Sequence, residues 1–294
     1  MHLSTSPILA VIGGSGLYEM AGLQDIETLD LDTPFGKPSS PIVIGTLEGQ
    51  RVAFLARHGM GHRITPTDIP YRANIYALKS LKVQHVVSVS ACGSLREDYA
   101  PGSIVIPDQV FDLTHERVRS FFSNGLVAHI SVADPYCPAL TQQLYRAVKA
   151  TGAITHRGGA FLTIEGPRFS TKAESNVYRQ WGLALIGMTA SPEVFLAREA
   201  ELCYATMAHV TDYDVWHVSE EPVTVERVIQ TLHQNTSYAQ QAVRQLVREL
   251  AEPQTAAPAC ECEHALANAI LTNPSAVSPD MRRSLDLLVG KYLG

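Results

Sequence analysis

The chain has 294 residues, 46% hydrophobic and 18% charged, with a net charge of −6, which suits one large α/β domain with a substantial core. It has no basic run to meet nucleic acid, and no apolar segment approaches the ~20 residues that a membrane helix requires. The amino-terminal stretch runs straight into a first strand without a charged-then-apolar leader, so a cytoplasmic protein is expected.

In chain order, β-branched and apolar runs predict strands at 7–12, 41–47, 51–56 and 85–91, with a helix over Tyr71–Leu81 that puts Tyr71, Ile75, Leu78 and Leu81 on one face. A strand at 102–106 is followed by a helix over Pro138–Ala150, carried by Leu140, Leu144 and Val148. After a strand at 160–164, Thr171 and Glu174 have the form of a capping box opening a helix to about Trp181. A strand at 184–188 leads to Ser191-Pro192-Glu193, a start signal with Pro at the first helical position. A strand at 202–210 and a long helix over Thr224–Leu250 complete the alternation. The expected fold class is α/β: a single domain with a central mixed, largely parallel, twisted sheet flanked by helices.

The composition shifts at 251–259, which reads as a linker. The main domain is therefore placed at 1–251, and 252–294 is a C-terminal helical extension packed on the same domain or on a neighbouring subunit. Ser278-Pro279-Asp280 opens its last helix, with Met281, Leu285, Leu288 and Tyr292 on one side. Of the five cysteines, Cys92, Cys137 and Cys203 read as buried thiols, whereas Cys260-Glu261-Cys262 lies in a polar tail. The spacing matches no zinc motif with two separated pairs, so no metal is expected. Disulfides from this pair to Cys203 or Cys137 stay open.

In open α/β sheets ligands gather at the carboxyl ends of strands. Those ends carry Gly13-Gly14-Ser15-Gly16, then Arg57-His58 with His62 behind, then Ser90-Ala91-Cys92-Gly93-Ser94, and finally Thr189. The glycine turn has neither the GxGxxG nor the Walker spacing. Hydroxyls and a cation at four strand ends describe a site for one tetrahedral, multiply charged anion. Beside it, Phe169 offers a face for stacking a ring, and Met188 an apolar wall; Glu165 and Arg168 either serve ligand hydroxyls or pair with each other. Asp212 and Asp214 follow the last strand two residues apart, so alternation places both on one face. Partly desolvated, such a pair disfavours double ionisation, leaving one proton donor beside one acceptor.

These stretches, together with "VIGGSGLY", "ARHGMGH", "SACGSLRE", "TIEGPRFST", "GMTASPEVFLAREA" and "CYATMAHVTDYDVW", resemble the trimeric purine nucleoside phosphorylase family over about residues 8–250, and within it the branch acting on 5′-methylthioadenosine. The resemblance implies phosphate-dependent cleavage of the glycosidic bond, with inorganic phosphate as co-substrate and no cofactor. A 6-oxopurine nucleoside, inosine or methylthioinosine, is the alternative substrate. It implies phosphate binding by Ser15, Arg57, His58, Ser90, the Ala91 backbone and Thr189. Met188 would lie against the ribose, and Phe169 and Ser170 in the base pocket. Asp214 would be the acid at N7, and Asp212 would orient the base. It further implies that His129 reaches a neighbouring subunit's ligand, that Val225 and Val228 wall the 5′ substituent, and that His62 joins the substrate residues. The implied assembly is a homotrimer, with higher states open.

Overall fold

The computed structural model describes residues 6–17, 20–217, 225–252 and 260–293, apart from the side chains of Ser15 and of 225–234. The first half of the chain forms β1 (Leu9–Gly13), β2 (Gln24–Leu29), β3 (Ile42–Leu47), β4 (Gln50–Ala56), α1 (Tyr71–Ser80), β5 (His85–Ser94), β6 (Ile104–Ile106) and β7 (Gln109–Asp112). The second half forms α2 (Pro138–Ala150), β8 (Thr155–Arg157), β9 (Ala160–Thr163), α3 (Lys172–Gln180), β10 (Leu185–Gly187), α4 (Ala190–Glu199), β11 (Cys203–Asp212), α5 (Val225–Ala251) and α6 (Pro279–Leu293).

The sheet is mixed, with six of ten strand pairings parallel. Each expected strand forms. Three others, β2, β7 and β8, carry no apolar run: they lie at sheet edges and are half exposed, so polar residues serve there. The capping box forms as read: Thr171 Oγ1 accepts from the Glu174 N–H and Glu174 accepts from the Thr171 N–H. At α4 the chain is extended at Ser191 (φ −101°, ψ 139°), so the helix proper starts at Pro192. Ser278 Oγ accepts from the Met281 N–H at 3.2 Å and starts α6.

The two faces of the sheet bury alternate residues. Ala10, Ile12, Ala53, Leu55 and Val86 pack against Ile75 and Leu78 of α1 and Val194 and Ala197 of α4. Leu9, Val11, Val52, Phe54 and Val87 pack against Leu140 and Leu144 of α2 and Ala239, Val243 and Leu246 of α5. The tail joins this structure: Leu266, Leu285, Leu288 and Val289 share the core of α1. Of the linker expected at 251–259, Ala251 is the last residue of α5, and 253–259 lie outside the described residues. No helix among the described residues is long and apolar enough to cross a membrane.

One edge of β5 opens a gap. β11 runs beside β5 from His85 to Gly93. The other edge pairs with β1 only through Ser88 and takes up β10 from Gly93. Val89–Cys92 therefore face a gap on that edge. The Val89 carbonyl accepts from Arg57 there, and because alternate residues of a strand turn their N–H and C=O to the same edge, Ala91 offers its backbone to the gap as well.

Cys92, Cys137 and Cys203 are buried as read, and the structure adds a cluster to that reading. Cys137 is the N-cap of α2, Cys203 opens β11, and Cys260 and Cys262 begin the tail; their four sulfurs all lie within 4.8 Å of one another. No motif spacing revealed this, because three separate parts of the chain supply the set.

Candidate active site

A cavity of about 730 Å³ opens over the gap in β5, lined by strand ends from β1, β4, β5, β10 and β11 and by Thr236, Ala239 and Gln240 of α5. Its size suits a small-molecule ligand. It brings together Arg57, His58, His62, Ser90, Ala91, Phe169, Ser170, Met188, Thr189, Asp212 and Asp214. Gly14 and Gly16 line it too, on either side of Ser15, whose side chain is outside the described residues. Val225 and Val228 stand at the start of α5, and their side chains are likewise outside. His129 is not brought in: it is exposed, and its N–H donates to the Ala269 carbonyl at 2.8 Å.

At one end of the cavity is a cluster of hydroxyls and one cation. Arg57 was expected to bind an anion, but its fork holds Glu193: Nε donates to Oε2 at 2.8 Å and Nη2 to Oε1 at 2.9 Å. Nη2 also donates to Ser88 Oγ at 2.6 Å, and Nη1 to the Val89 carbonyl at 3.1 Å. Of its five N–H groups, one on Nη1 remains for a ligand. Arg57 and Glu193 are both buried, and the pair is neutral as a unit. From it a hydroxyl chain runs Ser88–Ser90–Thr189 at 3.3 and 3.4 Å. Thr189 occupies the N-cap position of α4 without capping it, so its hydroxyl stays available. His58 is pushed down to about 4, chiefly by burial, and is neutral at pH 7. Its Nδ1 donates to the Ile64 carbonyl at 2.9 Å, and its ring stacks on His62 at 4.2 Å.

At the other end, simple alternation fails. The register shifts between Val210 and Asp212, and Asp214 lies in a turn at φ 54°, a left-handed conformation that Asp tolerates. Asp212 Oδ1 accepts from the Asp214 N–H at 2.7 Å and Oδ2 from Thr211 Oγ1 at 2.6 Å, so Asp212 fixes that turn. Asp214 is buried, and its Oδ2 has no hydrogen-bond partner among the described residues. Its pKa is raised above the ordinary carboxylate value, and the first cause is burial rather than repulsion from Asp212 as expected. Ser170 and Ser175 come close enough to hold that rise down somewhat, yet neither hydroxyl completes a hydrogen bond of normal geometry.

Several contributors were missed. Gly93 keeps the aspartates in place: a Cβ there would meet Asp212 Oδ1 at 2.9 Å and Asp214 Cβ at 3.3 Å. Glu193 was read only as part of a helix start. Glu165 and Arg168 do not pair. Glu165 takes Arg117 Nε at 2.9 Å, and Arg168 takes Glu174 at 2.7 Å. Arg117 in turn donates to the Met188 carbonyl at 2.7 Å, which positions the cavity wall. Phe169 is 42% exposed at the mouth, an aromatic face without a partner ring among the described residues.

The profile of the phosphorylase superfamily matches residues 8–248. An S-methyl-5′-thioadenosine phosphorylase of Geobacter sulfurreducens is 50% identical over 287 residues, covering 97% of this chain and 99% of the relative. One from Chloroflexus aurantiacus is 52% identical, covering 99% of each. Among solved structures, a methylthioadenosine phosphorylase from an antarctic soil metagenomic library superposes with TM-score 0.91 at 47% identity, over 96% of this chain and 99% of that one. The Schistosoma mansoni enzyme in complex with adenine gives 0.78 at 35% identity, over 84% and 93%.

Proposed function

The chain belongs to the phosphorylase superfamily, and on that premise we propose that it cleaves S-methyl-5′-thioadenosine with inorganic phosphate to adenine and 5-methylthioribose 1-phosphate. The observation that carries this reading is the pairing, in one cavity, of a hydroxyl-rich cradle beside Arg57 with a buried, unpartnered carboxyl oxygen on Asp214.

Cleavage develops positive charge on the sugar and negative charge on the departing purine, and a site accelerates it by meeting those charges as they form. Phosphate held by Ser90, Thr189, the Ala91 backbone and the free Arg57 N–H stabilises the first. One of its oxygens then bonds C1′ as the C1′–N9 electron pair leaves with the base. Asp214, whose burial favours the protonated form, gives its proton to N7, so the purine departs neutral. Asp212 holds the turn that aims Asp214, and Phe169 stacks on the base. Met188 lies under the ribose. Phosphate is the co-substrate, and the chemistry needs no cofactor. We assign a homotrimer in which the exposed His129 serves a neighbouring subunit's site, which accounts for its absence from the cavity lining of its own chain.

Chromatography of reactions in phosphate and in phosphate-free buffer tests the reading. Adenine should appear only with phosphate, and inosine should turn over more slowly than methylthioadenosine. Adenine release independent of phosphate, or faster cleavage of inosine, overturns it.

A further inference from the structure

We propose that Cys137, Cys203, Cys260 and Cys262 form a closed tetrahedral zinc site that fastens the C-terminal tail to β11 and α2. The four sulfurs lie within 4.8 Å of one another, and a zinc ion with Zn–S bonds of about 2.3 Å draws four thiolates to roughly 3.8 Å apart. The set is all sulfur, which selects a soft tetrahedral ion over magnesium or calcium. Three of the four residues are buried, and four thiolates fill a tetrahedral shell, as in structural rather than catalytic sites.

The surroundings fit the charge. A zinc ion with four thiolates carries two net negative charges and is steadied by N–H donors to its sulfurs. Here Arg198 Nη1 donates to Cys262 Sγ at 3.3 Å and the Leu140 N–H to Cys137 Sγ at 3.5 Å. Disulfides are the rival use of the same atoms: Cys203 and Cys260 Sγ stand 3.3 Å apart, but a disulfide joins sulfurs only in pairs, whereas one ion uses all four at once. Zinc enters as the divalent ion and displaces the thiol protons to solvent, with no redox step. The site also accounts for a Cys-x-Cys in a polar tail: with its two partners on β11 and α2, it anchors the stretch that precedes Leu266 and α6. It lies outside the catalytic cavity and does not depend on the proposed reaction.

The full-length chain, purified under argon without chelator, should carry about one zinc per chain by elemental analysis, with four sulfur neighbours at ~2.3 Å by X-ray absorption. A mercurial thiol reagent should release that zinc. Cys260→Ser, at the most exposed of the four positions, should lose most of the metal and melt at lower temperature while keeping its phosphorolysis rate at 25 °C. A chain that holds two disulfides under the same conditions overturns the proposal. So does one with iron in place of zinc, or with four free thiols and no zinc after titration with the ion. If the variant does not fold, the stoichiometry of the native chain still decides.

Discussion

The two ends of the cavity are built on opposite principles. At the anion end the buried charge is already matched: the Arg57 fork lies on Glu193, and the neighbouring hydroxyls touch one another. At the purine end a buried carboxyl oxygen has been left without a hydrogen bond among the described residues. A buried pair is stable in the absence of ligand because each charge neutralises the other. A buried unpartnered oxygen remains a penalty until a ligand meets it, and its cheapest form is the protonated one. One end thus offers a preassembled neutral cradle, and the other a carboxyl whose burial favours holding a proton.

The sharpest way to break this contrast is to remove the proton. Asp214→Asn keeps the left-handed turn, which Asn adopts readily, and should lower kcat by about 10²–10⁴-fold with little change in nucleoside KM. Because the folded pKa of Asp214 is raised, any stability it contributes is complete at low pH and is lost as pH rises through the folded value. The native kcat should therefore decline on the alkaline side, and the Asn variant should melt no lower than the native chain at pH 8. Steady-state kinetics with an unchanged kcat would remove the acid role.

A second effect is expected from unbalancing the other end. Glu193→Gln leaves the Arg57 cation buried without its counter-charge, which costs about 3–5 kcal/mol. Phosphate would then replace the missing carboxylate. Its addition should raise the melting temperature of this variant more than that of the native chain. Equal increments in the two proteins would mean that Arg57 does not face the anion.

Sequence reading found most of this cavity because strand ends are visible as apolar runs that stop at Gly, Ser, Thr or a charged residue. Ser90, Thr189 and Asp214 were legible in that way. Glu193 was not: nothing local distinguishes a glutamate in the first turn of a helix from one that reaches a buried arginine 136 residues away in the chain. The cause of the Asp214 shift was also hidden, since burial depends on how α3 and Gly93 close around it rather than on the spacing of the two aspartates. The four-cysteine cluster was illegible for the same reason as Glu193, being a product of packing between distant segments. Strand β2 escaped because an exposed edge does not need an apolar pattern.

His209 sharpens the contrast with the smallest effect, because it resembles the purine end in lacking partners and the anion end in lacking net charge. It lies on β11 at the cavity wall with 0% exposure, and neither ring nitrogen has a hydrogen bond among the described residues. Burial pushes its pKa down from 6.5 to about 4, so the stability tied to its neutral form is present above 6.5 and is lost as pH falls toward 4. At pH 5 that loss amounts to about 2 kcal/mol. His209→Leu removes the need to charge a buried ring. Its melting temperature should fall less than the native one between pH 7 and pH 5, by roughly 3 °C, while kcat at pH 7 stays within a few-fold. Parallel melting curves over that interval would show that the ring gains a partner in solution. His58, depressed to the same degree but bonded to the Ile64 carbonyl, would then account for the loss of stability at low pH, and the anion end would be the pH-sensitive one.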